Sequence, residues 1–70
     1  MRRDLVSLFL DRYPEVSGYT LICVCEHLNR ITKAGIGVDG FIERALRFDS
    51  AGDYLARVCL SFQSQENSDA

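Results

Sequence analysis

The chain has no tryptophan, a single proline, a single histidine and only three cysteines among its 70 residues. Three cysteines cannot all pair within one chain, and their spacing forms no disulfide framework. A reduced, intracellular protein is the simplest reading, and cytoplasm is the expected compartment. No stretch approaches the roughly 18 apolar residues of a membrane span. The opening "MRRDLVSLFLDRY" has two arginines before an apolar run, yet Asp4 and Asp11 bracket just six residues, "LVSLFL". A signal core needs about seven to fifteen uncharged residues, so no targeting segment is expected. Charge of one sign is lacking too. The net charge is −2, and Glu66 and Asp69 in the last eight residues account for it, leaving residues 1–62 neutral. Such a body is neither a polycation nor an acidic mimic of nucleic acid. Internal repeats of solenoid length are also absent.

Apolar side chains, by contrast, are plentiful, at 47% of the residues. That argues against disorder of the main body. A chain this short buries only about 60% of its unfolded surface, so the apolar excess points to a partner or a second copy.

The periodicity is helical throughout. Asp4 stands where an N-cap would, before an apolar arc of Leu5, Val6, Leu8, Phe9 and Tyr13. Pro14 ends this first helix. Ser17-Gly18 either starts a second helix or sits in a short link before it, and that helix carries Leu21, Val24, Cys25, Leu28 and Ile31 as a core-facing stripe. It is expected to stop near Lys33, with Gly35 in the left-handed cap position and Ile36 making the apolar contact beyond it. A third helix places Val38, Phe41, Ile42, Ala45 and Leu46 on one face and Asp39, Glu43 and Arg47 on the other. "SAGD", residues 50–53, resembles a capping box for a fourth helix with Ala51, Tyr54, Leu55, Val58 and Phe62 inward. Glu26–Arg30, Glu43–Arg47 and Asp53–Arg57 are acid-then-base pairs at i,i+4, the helix-stabilising order. The expected fold is therefore all-α: a compact bundle of three to four short helices over residues 1–62, with residues 63–70 as a disordered, polar, acidic tail.

One stretch has the residue types of chemistry, "CVCEH" at Cys23 to His27. Residues two apart on a helix diverge by about 200°, so Cys23 and Cys25 cannot grip one ion together. A metal or thiol site would have to combine Cys23, His27 and Cys59 with a carboxylate, and no Cys-x-x-Cys knuckle announces one. A Cys23–His27 nucleophilic pair lacks an orienting third group and an oxyanion-hole motif. The stretch reads as packing, with no metal, cofactor or catalytic residue expected. "KAGIGVDG" lacks the Gly-Lys-Ser/Thr of a phosphate loop, and its glycines serve the interhelical turn.

Two surfaces remain. Helix, glycine turn and helix over residues 21–48 could set Arg44 and Arg47 in a major groove as a small helix-turn-helix-like DNA-binding regulator. Asp39 and Glu43 share that face and oppose phosphates, so nucleic acid is the second reading. The first reading is association. Tyr19, Ile22 and Cys23 lie opposite the core stripe of the second helix. Leu60 lies opposite that of the fourth, and Leu10 stands at the edge of the first. Contiguous apolar residues off the core face mark a contact surface, unless the second helix is central and buried on both sides, which needs no partner. The expected function is a small non-catalytic regulator, adaptor or inhibitor, of the kind phages and mobile elements encode. It would bind another protein or itself through Tyr19, Ile22, Leu60 and Leu10, with a homodimer as the expected assembly.

Overall fold

The computed structural model describes residues 4–67. Four helices follow in order: α1 (Leu5–Arg12), α2 (Gly18–Thr32), α3 (Val38–Arg47) and α4 (Asp49–Asn67). No strand occurs among the described residues, so the all-α expectation holds. The body measures 40 × 28 × 22 Å.

Local chemistry explains most of the boundaries. α1 begins after Asp4, whose carbonyl accepts from the Leu8 amide at 3.0 Å while its side chain makes no cap bond. It ends at Arg12, with Tyr13 as its C-cap ahead of Pro14. Ser17 caps α2, its Oγ accepting from the Thr20 amide at 3.3 Å.

The end of α2 differs from the expected glycine stop. Lys33, not Gly35, is the left-handed C-cap, with φ 54° and ψ 32°. The Asn29 Oδ1 accepts from the Ile36 amide at 2.7 Å. That bond draws the chain back onto the last turn of α2 and leaves Gly35, also at positive φ, within the link. The expected Ser50 cap does not form either. α4 starts at Asp49, so Ser50 already lies inside it, and the Phe48 carbonyl accepts from the amides of Ala51 and Gly52. α3 and α4 are thus separated by one extended residue, Phe48.

Each helix contributes to one core: Phe9 from α1, Leu21, Val24 and Cys25 from α2, Ile42 and Ala45 from α3, and Leu55, Ala56 and Cys59 from α4, with Val16 from the α1–α2 link. α3 packs most extensively on α4, α2 lies on α4 and α3, and α1 leans on α3. The stripes expected from the sequence are met in the middle of each helix and fail at the ends. Ile31, in the last turn of α2, and Tyr54, in the second turn of α4, are exposed rather than buried. The neighbouring elements do not extend far enough to cover them.

The α1–α2 link runs along α4 as a strap. At one end the Tyr13 hydroxyl donates to Asp53 Oδ1 at 2.9 Å, and Arg12 pairs with Asp49 at 2.9 Å. At the other, the Gln63 side-chain amide donates to the Glu15 carbonyl at 3.2 Å and accepts from the Ser17 amide. Asp53 and Gln63 are ten residues apart, about 15 Å along a helix, and the link turns between them, with the Val16 amide donating to the Tyr13 carbonyl at 3.1 Å, so the Tyr13 and Gln63 side chains cover part of the span. Gln63 was expected in the tail. α4 continues through Asn67, past the boundary placed at residue 62. The rest of the expected tail, residues 68–70, lies outside the described residues, as do residues 1–3 of the expected domain.

Candidate functional site

Ser17 fixes where α2 starts, and the 100° step per residue then divides its side chains. Thr20, Leu21, Val24 and Cys25 turn inward and are buried. Tyr19, Ile22, Glu26 and Arg30 fall within an arc of about 80° on the opposite side. Tyr19 is 71% exposed and Ile22 40% exposed, and Glu26 and Arg30 are exposed with them. Cys23, at the margin of that arc, is partly buried. A full turn of α2 therefore presents apolar surface outward, followed by one acid and one base.

The other two residues expected at a contact surface stand elsewhere. Leu60 is 36% exposed, on the side of α4 that also carries Asp53 and Gln63, toward the strap. Leu10 is partly buried against the core, and its Cδ1 lies 3.4 Å from where a Cβ at Gly18 would be. It lies beside the start of α2. The structure thus brings together Tyr19 and Ile22 and places Leu60 and the half-buried Leu10 on other helices.

Cys23, His27 and Cys59 do not assemble. His27 packs its ring 5.8 Å from that of Phe62, holding α2 to α4, while Cys59 is fully buried. Among the described residues no group of three His, Cys, Asp or Glu side chains is arranged to hold a metal. Cys25 and Cys59 share the α2–α4 interior. Burial alone pushes the Cys25 thiol up to about 11; burial, then the neighbouring Cys25, pushes Cys59 up to about 12. Desolvation penalises the thiolate, so neither sulfur is a nucleophile at neutral pH.

Arg44 and Arg47 are exposed on α3, and Asp39 and Glu43 are exposed beside them. None of the three expected i,i+4 pairs closes to an ion pair among the described residues, whereas Arg12 pairs with Asp49. Exposed pairs gain little in water, so open side chains cost the helices little. Asp53 is diverted altogether, because Tyr13 takes its carboxylate. That bond raises the Tyr13 pKa after burial, and the Asp49 bond raises that of Arg12.

Sequence reasoning missed the exposed Phe48 and Tyr54 at the α3–α4 corner and the Tyr13–Asp53 tie. One signal for that tie was present. Gly52 interrupts a strong helix, and an internal helical glycine often marks a close approach. A shallow, open groove on α4 is lined by Ser50, Asp53, Tyr54 and Arg57, all from one helix. No family model, curated protein or solved structure matches this chain.

Proposed function

We propose that this chain is a small non-catalytic protein that acts by association, as a regulator, adaptor or inhibitor, through the outward face of α2. The observation that carries the reading is the pairing of Tyr19 and Ile22 at i,i+3 on one exposed face. Fully burying an isoleucine side chain is worth about 1.5–3 kcal/mol, and the isolated body forgoes only part of that at Ile22, which is 40% exposed. An aromatic beside an aliphatic residue is the composition of an interface anchor. The buried thiols and the open groove of α4 offer no nucleophile or enclosed pocket to set against this reading.

A native-level extract provides the test. The chain should migrate well above its own 7.9 kDa in size-exclusion chromatography. Ile22→Glu should return it to the monomer position with an unchanged helical spectrum. A chain that elutes as a monomer in both forms would overturn the reading.

DNA binding through Arg44 and Arg47 is the second reading, supported by the exposure of both on the helix that follows the glycine turn. The acids on the same face weigh against it. The reduced cysteines are consistent with an intracellular setting, and no helix among the described residues is long and apolar enough to cross a membrane.

A further inference from the structure

We infer that α1 is a hinged arm, which swings off α3 as a unit about Pro14–Glu15 while α2, α3 and α4 stay folded. This concerns another part of the molecule than the outward face of α2 and does not depend on what binds there. The way α1 is held carries the argument. It has eight residues, against the roughly 12–15 below which an isolated helix is marginal in water. Its persistence therefore comes from its contacts. It has one substantial helical neighbour, α3, whereas every other helix has at least two. Phe9 is its one buried residue, with Leu5, Val6 and Leu10 partly buried. Its end is clasped to α4 by the Arg12–Asp49 ion pair and the Tyr13–Asp53 hydrogen bond, both at the surface. Such exposed bonds contribute little each. Detachment thus gives up one aromatic seat and a surface clasp, and leaves the packing of α2 and α3 on α4 whole. Elements held by few buried contacts open locally, below the free energy of global unfolding.

The ties beyond the clasp place the hinge. Val16 is buried in the core, and the Gln63 side chain bonds both the Glu15 carbonyl and the Ser17 amide. Those ties hold the chain on α4 from the Glu15 carbonyl onward. Pro14 and Glu15 are exposed in a turn between the two sets of ties. A few loop residues at the end of an element absorb rotations of this kind. Proline fixes its own φ, so the rotation falls on the ψ of Pro14 and on Glu15. The Val16 amide donates to the Tyr13 carbonyl across the hinge, so that bond is released with the arm. Opening bares the seat of Phe9, and closing covers it again.

Native-state hydrogen exchange on the purified full chain, read amide by amide by NMR, tests this. The amides from Leu8 to Tyr13, together with that of Val16, should share one protection factor. It should lie at least about tenfold below that of the most protected amides of α2 and α4. The Leu21 amide, bonded to the Ser17 carbonyl at 2.9 Å, lies beyond the hinge and should exchange with the core instead. In dilute urea, exchange of the arm should rise less steeply than that of the core, because the open state exposes less surface than the unfolded one.

Two variants separate unit opening from global unfolding and from fraying. Leu28 is partly buried against the core, ten residues along α2 from the Gly18 that Leu10 approaches, about 15 Å. Leu28→Ala should speed core exchange by about tenfold or more and leave the arm unchanged, because the open state keeps the contacts of Leu28. Tyr13→Phe removes a clasp bond that is absent from both the open and the unfolded state. It should therefore speed arm and core alike, by about fivefold. Arm amides that accelerate with the core in Leu28→Ala open only by global unfolding, which overturns the inference. So does an arm as steeply dependent on urea as the core. Protection that instead falls residue by residue toward Leu8, with Tyr13→Phe moving only the nearest amides, is fraying of the chain end and overturns it equally.

Discussion

Gly52 is buried where the end of α1 crosses the start of α4. A Cβ there would lie 2.8 Å from the Tyr13 hydroxyl and 3.1 Å from the Ala45 carbonyl. Alanine normally gains about 1 kcal/mol over glycine inside a helix. Here the backbone oxygen cannot yield as a flexible side chain could, and overpacking costs about 1–3 kcal/mol. Gly52→Ala should therefore lower the thermal midpoint, and a raised midpoint would refute the close approach. Lys33 is the converse case. It holds φ 54° without being a glycine, a conformation that L side chains adopt at a cost. Lys33→Gly should stabilise the chain by about 0.5–1 kcal/mol in a denaturant titration, reading the strain directly. A sequence shows glycines but not φ, which is why Gly35 was expected to take the cap that Lys33 occupies. The deciding bond, Asn29 to Ile36, joins residues seven apart and has no periodic signature.

At the scale of elements, periodicity identified which residues of α2 face inward and which outward, and so placed Tyr19 and Ile22. It could not say where a neighbouring helix ends, which is what exposes Ile31 and Tyr54. Nor could it show that Leu10 would lie beside Gly18, since that approach depends on how α1 meets the start of α2. The contact between α2 and α4 gives a chemical prediction. Cys25 and Cys59 are buried and Cys23 is only partly so. Near pH 8, iodoacetamide should modify Cys23 first and reach the other two only on unfolding, as mass spectrometry after digestion would show. The raised thiol pKa values also set a pH dependence. A group held neutral in the fold stabilises it fully below the unfolded pKa, near 9.0 here. That contribution falls away as pH rises through about 11 and 12, and Tyr13, raised from 10.0, adds to the same alkaline loss. Denaturation midpoints followed from pH 8 to pH 12 should decline, and Cys25→Ala/Cys59→Ala should shallow the decline.

At the scale of the whole molecule, charge distribution separates the two functional readings. With residues 1–62 neutral, long-range attraction to a nucleic-acid backbone is weak, and affinity would have to come from one face of α3. That face sets Asp39 and Glu43 among Arg44 and Arg47, so two carboxylates would approach phosphates wherever the two guanidinium groups do. Binding through two cations releases few counterions, giving a shallow dependence on salt and little affinity near 0.15 M. In an electrophoretic mobility shift on defined duplexes, weak retardation at low salt that fades by physiological salt is therefore expected. Arg44→Ala should change it little. A sharp retarded band on one sequence at physiological salt, abolished by Arg44→Ala, would reverse the order of the readings. α3 would then be a recognition helix, and the apolar face of α2 would serve to pair two such helices on a symmetric site. Half-site spacing near one helical turn of DNA, about 34 Å, would be the geometric mark of that arrangement.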